Sequence, residues 1–188
     1  HRFVVGVLDL DGFKAVNDLY GHGVGDRVLK ETGQRLLELS DDTQFIARLG
    51  GDEFGIIVDA DLEPEAVLAV GSRVCSVFDA PFSVAGIVAK IGGSVGFALA
   101  PDAGTTAELL YERADYALYH AKARCRGRPV IFSREHEVEI RKLSTIEHTL
   151  RRIDLDAELS LHYQPIVNVG TARLVGFDAG YVALSGDG

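Results

Sequence analysis

Apolar positions along this chain follow two periods, and the switches between them divide it into elements. Val4-Val5-Gly6-Val7-Leu8 is a continuous apolar run within residues 2–8, and it ends in Asp9 with Asp11 just beyond. Such a run predicts a strand buried on both faces. Residues 13–19 predict a short helix, which Gly21, Gly23 and Gly25 break. Residues 24–39 predict a longer amphipathic helix, with Val28, Leu29, Leu36 and Leu39 on one face. Residues 45–49 and 54–58 are two short Ile-, Val- and Phe-rich runs around Gly50-Gly51, the signal of a hairpin whose turn needs positive φ. Pro64 suits a first helical turn, and Val67, Val70, Val74 and Val77 form the stripe that follows it. Residues 82–85 and 87–99 predict strands on either side of Gly86. Thr105 and Glu108 have capping-box spacing ahead of a helix running to about residue 123. In that helix Ala114, Ala117 and Ala121 make a small-residue face for close packing, and residues 129–132 predict a short closing strand.

Strands and helices mix here without strict alternation. The pattern predicts an α+β fold in which helices flank a central, mainly antiparallel sheet. The remainder differs in character. Residues 135–159 are charged and mostly helical in pattern, with Val138, Leu143, Ile146 and Leu150 spaced along them. Residues 159–169 and 174–179 then predict two strands joined through Gly170-Thr171-Ala172-Arg173 as a hairpin.

Length and charge narrow the function classes. The chain has 188 residues, enough for one cored domain and a modest extra piece. Its formal net charge of −9 argues against a general nucleic-acid or anionic-membrane binder, since both need clustered positive charge. A nucleotide substrate stays open, because a metal and a few local cations offset phosphate charge. Cys75 and Cys125 lack pairing or metal spacing and are expected to be free thiols, which favours a reducing compartment. No apolar run reaches the length of a membrane span and no signal peptide is visible. A core strand beginning almost at His1 suggests a fragment whose natural start lies upstream.

The chemistry is concentrated at two acidic points. Asp52 and Glu53 stand at the hairpin tip, where adjacent carboxylates repel and call for a cation. Asp9 stands at a strand end, so Asp9 and Asp52 could converge on divalent ions. Mg²⁺ suits such a place, because it takes one or two protein carboxylates together with substrate phosphates. Taken alone, Asp9 reads as a strand-end cap and the Asp52-Glu53 pair as a solvated acidic turn.

The blocks Asp9-Leu10-Asp11-Gly12-Phe13-Lys14-Ala15-Val16-Asn17-Asp18, Gly21-His22-Gly23-Val24-Gly25-Asp26 and Arg48-Leu49-Gly50-Gly51-Asp52-Glu53-Phe54, in that order, resemble the GGDEF family of diguanylate cyclases. Ser94-Val95-Gly96-Phe97-Ala98 and Ala114-Asp115-Tyr116-Ala117-Leu118-Tyr119-His120-Ala121-Lys122 continue the likeness, which covers residues 2–133. The resemblance implies a palm-like sheet, as in nucleotidyl cyclases and polymerases. It also implies condensation of two GTP molecules into cyclic di-GMP and two pyrophosphates, each 3′-oxygen attacking an α-phosphorus. Asp9, Asp52 and the Leu10 carbonyl would hold Mg²⁺ or Mn²⁺, and Glu53 would be a further ligand or the group that deprotonates the 3′-hydroxyl. Asn17 and Asp26 match the family's guanine-reading pair. The chemistry fits, since a carboxylate accepts from guanine N1–H and its exocyclic amine while an amide serves the O6/N7 edge. Lys14, Lys122 and Arg126 match its phosphate-contacting cations, and Arg48, close to the turn, would reach a phosphate or pair with an acid. Cys125 and Gly127 depart from the Gly and Asn that usually flank that arginine.

A homodimer is implied for turnover, since two GTP molecules must meet. The implied location is cytoplasmic, with any membrane tether supplied by upstream parts of the parent protein and no direct membrane or nucleic-acid contact by this piece. Where many members carry an Arg-x-x-Asp product-inhibition site, this chain has Asp41-Asp42-Thr43-Gln44, so inhibition through that segment is not expected. The expected organisation is a GGDEF domain over 1–133, a connector helix over 134–158 and, over 159–188, an incomplete segment. That last piece resembles the opening of an EAL phosphodiesterase domain, with Asp178-Ala179-Gly180 in place of Glu-Ala-Leu. A barrel needs roughly 200 residues or more, so no hydrolysis is expected from this segment. The alternative is a catalytically silent GTP-binding module that regulates an attached EAL phosphodiesterase domain. A purely structural dimerisation domain is the weakest reading.

Overall fold

A computed structural model describes residues 2–84, 86–150 and 159–183. Two compact units divide the chain, residues 1–137 and 138–188. In the first, β1 (Phe3–Asp11) leads to α1 (Phe13–Tyr20) and α2 (His22–Leu39). The signature hairpin β2 (Gln44–Gly50) and β3 (Glu53–Val58) is followed by α3 (Pro64–Ser76). A small pair, β4 (Phe82–Val84) and β5 (Ile87–Ala89), precedes β6 (Gly92–Ala100), α4 (Ala107–Arg124) and β7 (Pro129–Ile131). The main sheet has the order β2-β3-β1-β6-β7, antiparallel throughout except where β7 runs parallel to β6. The α+β expectation, a mainly antiparallel sheet with helices on its faces, describes this architecture.

The two-residue alternation of a strand sorts the side chains to opposite faces. On one face Val4, Leu8 and Leu10 of β1, Phe54, Ile56 and Val58 of β3, and Val95, Phe97 and Leu99 of β6 pack against Phe13, Val28, Leu36, Val67 and Val74 of the helices. On the other face Val7, Ala98 and Ala100 meet Leu110, Ala114 and Leu118 of α4. Ala114, Ala117 and Ala121 are fully buried, as their spacing predicts. The alternation continues past the apolar residues. Asp9 and Asp11 of β1, Ser94 of β6 and Glu53 of β3 therefore fall on the face that α4 covers, all at one end of the sheet.

Four local expectations are corrected. Gly21 alone breaks the first helix (φ +83°), and α2 starts at His22 and contains Gly23 and Gly25. The run 87–99 is broken at Lys90-Ile91 into β5 and β6, which belong to different sheets. The α4 cap is Thr106, whose hydroxyl accepts from Leu109 N at 3.3 Å, so the cap lies one residue beyond Thr105. The first strand extends through Asp11, because β6 pairs with it as far as Gly92.

Helix α5 (Arg134–Leu150) begins in the first unit, where Arg113 pairs with Glu137 at 3.3 Å. In the second unit β8 (Leu159–Asn168) and β9 (Arg173–Ala183) form the expected antiparallel hairpin, with Gln164 opposite Asp178. Residues 151–158 of the expected connector and 184–188 of the last segment lie outside the described residues. So do Ala85 and the side chains of Leu143, Ile146 and Leu150. Both cysteines are free thiols, and burial followed by the charges of Asp11 and Asp79 pushes Cys75 up to about 12. No helix among the described residues is long and apolar enough to cross a membrane.

Candidate active site

The hairpin turn brings its acids back onto β1. Gly51 supplies the left-handed residue the turn needs (φ +52°), and the register places Glu53 directly opposite Asp9. Leu10 N donates to Asp52 O at 3.3 Å, so the Asp52 backbone is tied to the residue after Asp9. Among the described residues Arg48 does not pair with an acid. Its Nε and Nη2 donate to Gly51 O at 3.1 and 2.8 Å and brace the turn.

Helix α4 behind this end, and the turn that follows it, answer with cations. Lys122 Nζ lies 2.6 Å from Asp9 Oδ1, and Arg126 Nε lies 3.3 Å from Asp11 Oδ1. Burial raises Asp9 above its ordinary value, with Lys122 pulling down and the Asp52 and Asp11 charges pushing up. Glu53 is also raised, by burial first and then by repulsion from Asp9, Asp115 and Asp52, against the pull of Lys122. Five carboxylates, Asp9, Asp11, Asp52, Glu53 and Asp115, thus share a field with the Lys122 ammonium, which sits on Asp9.

A raised acid favours the protonated fold, so its stabilising protonation is complete in acid and is lost as pH rises through the folded value. Glu53→Gln removes that repulsion. The variant is expected to melt above the parent in metal-free buffer at neutral pH, with the gap closing toward acid. A lower midpoint than the parent at neutral pH would contradict this account of Glu53.

The purine candidates gather across the hairpin. Asp26 lines a cleft of about 500 Å³ together with Leu29, Lys30, Ile46, Arg48 and Phe54. Asn17, near the end of α1, packs against Gly25, the neighbour of Asp26, and its buried Oδ1 has no hydrogen-bond partner among the described residues. An orphaned buried acceptor costs about 1–3 kcal/mol and marks a group awaiting a donor. A methyl at Gly25 would stand 1.9 Å from that oxygen and 3.1 Å from Phe13 Cζ. Gly25→Ala therefore has to displace the end of the Asn17 side chain, and the three nearest atoms its methyl meets are side-chain atoms. If Asn17 reads a guanine edge, as the family resemblance implies, GTP affinity falls about tenfold or more, the scale of a lost pair of base-edge hydrogen bonds, with the melting midpoint nearly unchanged. An unaltered affinity in calorimetry would remove Asn17 from the site.

Lys14 is exposed on α1. Sequence reasoning gave no role to Asp11, Ser94, Asp115 or Tyr111. Alternation from Asp9 along β1 could have flagged Asp11, and seven-residue spacing from Lys122 could have flagged Asp115. No three histidine, cysteine or carboxylate side chains among the described residues form a ready-made metal site. Asp9 with Asp52 nonetheless fits a hard divalent ion that takes its other oxygens from water and phosphates.

Residues 1–128 match the family described as diguanylate cyclase, GGDEF domain. An uncharacterised signalling protein of Caulobacter vibrioides is 40% identical over 173 residues, covering 92% of this chain and 21% of that protein. The bifunctional diguanylate cyclase/cyclic di-GMP phosphodiesterase MucR of Pseudomonas aeruginosa is 36% identical over 178 residues, covering 95% of this chain and 26% of MucR. The chain therefore spans about a fifth to a quarter of the length of these relatives. Among solved structures, the GGDEF domain of DgcB from Caulobacter crescentus in complex with c-di-GMP superposes with a TM-score of 0.63 at 29% identity, covering 69% of this chain and 77% of that one. The chain belongs to the diguanylate cyclase GGDEF-domain family.

Proposed function

We propose that this chain supplies one half-site of a diguanylate cyclase: two copies, each holding a GTP, condense the pair into cyclic di-GMP with release of two pyrophosphates. The observation that carries the proposal is the facing of Asp9 and Glu53 across β1 and β3, with Lys122 on Asp9. Asp26 and Asn17 orient the guanine, the carboxylate matching its N1–H and amine donors. Lys14, Lys122 and Arg126 hold the triphosphate, and Arg48 keeps the turn that presents Asp52. Glu53, already biased toward the proton, accepts it from the 3′-hydroxyl as the P–O bond forms, or else shares the metal. Asp9, Asp52 and the Leu10 carbonyl would hold Mg²⁺ or Mn²⁺, which would supply neutralising charge for the phosphates and a more acidic attacking hydroxyl. Each half-site offers one nucleotide, so turnover needs a homodimer. A cytoplasmic location fits this reading, since GTP is supplied there.

The test is incubation of the chain with GTP and Mg²⁺ at several protein concentrations, followed by chromatography of the nucleotides. Cyclic di-GMP that rises more steeply than linearly with protein supports the dimeric cyclase. Tight GTP binding with no dinucleotide at any concentration replaces it with the silent regulatory module. In the same assay, added cyclic di-GMP is expected to leave the initial rate unchanged through residues 41–44. Asp41 accepts from Thr43 Oγ1 (2.5 Å), Thr43 N (2.9 Å) and Gln44 Nε2 (3.0 Å), and these bonds, the Thr43 hydroxyl foremost, hold it below its ordinary value, as a fixed negative charge. Inhibition that Asp41→Ala relieves would overturn that expectation.

A further inference from the structure

The loop that carries Arg126 is not anchored by α4 alone. Ser94 on β6 is fully buried, and its Oγ donates to Asp11 Oδ2 at 2.6 Å while accepting from Gly127 N at 2.9 Å. The other Asp11 oxygen takes Arg126 Nε at 3.3 Å. Asp11 is itself only 10% exposed, against 66% for Arg126, so the fixed partner is the carboxylate and the free end is the guanidinium. Gly127 turns the chain in the left-handed region (φ +78°), which directs its N–H back to the serine. Three chain segments far apart in sequence meet at one hydroxyl and one carboxylate.

We propose that Asp11 and Ser94 are positioning residues that aim the Arg126 guanidinium at the nucleotide's terminal phosphates. The proposal rests on the reading of Arg126 as a triphosphate contact. Asp11 binds through Nε, which leaves both terminal nitrogens of the planar fork for phosphate oxygens. An unaimed arginine on a glycine-containing loop would have to lose its rotamer freedom on each binding event. Ser94 fixes Asp11 and Gly127 at once, so both ends of the Arg126 segment are set before nucleotide arrives. This also gives a physical place to the Gly127 departure: a left-handed backbone position serves glycine as readily as asparagine.

The test is the ratio of GTP to GMP affinity, measured by calorimetry on the full chain for the parent, Arg126→Ala, Asp11→Asn, Ser94→Ala and the double variant Ser94→Ala with Arg126→Ala. A structural role alone would weaken both nucleotides alike, whereas an aimed guanidinium favours the triphosphate. Arg126→Ala, Asp11→Asn and Ser94→Ala are each expected to lower the ratio about five- to tenfold, the scale of one charge-assisted hydrogen bond. The double variant should fall no further than Arg126→Ala, because residues acting through one group are not additive. A fall in Arg126→Ala without a fall in the Ser94 and Asp11 variants overturns the positioning role and leaves the phosphate reading intact. An unchanged ratio in Arg126→Ala overturns both. If Asp11→Asn fails to fold, Ser94→Ala and the double variant decide the matter alone, and a double variant worse than either single one also overturns it.

Discussion

Asp52→Ala is expected to reduce cyclic di-GMP formation by more than about a hundredfold, since even groups behind a metal ligand cost roughly 10–100-fold when changed. The loss should come without a loss of fold. The turn around Asp52 is built by Gly51 (φ +52°), by Arg48 on Gly51 O and by Leu10 N on Asp52 O. None of these uses the Asp52 side chain, so alanine keeps them all. The carboxylate itself contributes repulsion, because its charge raises both Asp9 and Glu53. The variant should therefore melt at or slightly above the parent in metal-free buffer, while Mn²⁺ no longer shifts its midpoint as far. Glu53→Gln separates the two readings of its neighbour. A base is missed in turnover alone, whereas a ligand is missed also in the Mn²⁺-dependent shift. If Asp52→Ala retains cyclic di-GMP formation within tenfold of the parent, the metal reading of this carboxylate is wrong.

How much of this was legible depends on the range of the interaction. The Gly50-Gly51 hairpin, Val67, Val70 and Val74 of the α3 stripe and the alanine face of α4 follow from periods within one element and appear where the spacing puts them, whereas Val77 falls just past the end of α3 and is only partly buried. The boundaries depend on partners elsewhere. β1 reaches Asp11 because β6 pairs with it, and the run 87–99 splits because its two halves join different sheets. The site shows the same division. Asp9, Asp52 and Glu53 stand out as acids beside apolar strands, but their meeting is a matter of register between β1 and β3. That Lys122 and Arg126 divide themselves between Asp9 and Asp11 needed the placement of α4, which no local pattern encodes. Arg48 shows the limit from the other side. Nearness to the signature suggested a phosphate or an acid, and the carbonyl of Gly51 took its guanidinium because it lies three residues away.

The placement of α4 makes the largest prediction about stability. Ser94, Gly96 and Ala98 share the face of β6 that α4 covers, and at Gly96 the helix backbone itself is the neighbour. A methyl there would stand 2.1 Å from Leu118 N, 2.2 Å from Ala114 O and 2.8 Å from the Ala117 carbonyl carbon. No rotamer change can relieve contacts with backbone, so Gly96→Ala must move the whole helix off the sheet. Overpacking of this kind costs about 1–3 kcal/mol where side chains can yield, and more where they cannot. The midpoint is expected to drop by about 10 °C or more, as a loss of about 3 kcal/mol does in a domain of this size. Activity should fall further than stability, because α4 carries Lys122 and leads into Arg126, and a shift of about 1 Å in a positioning group costs up to roughly a hundredfold. Gly33→Ala is the control for a glycine change in a helix. A methyl at Gly33 meets nothing within 4 Å, and it is expected to raise the midpoint by restricting the unfolded chain. A Gly96→Ala protein that melts within a few degrees of the parent would mean that α4 does not lie directly on β6, and the pairing of Lys122 with Asp9 would fall with it.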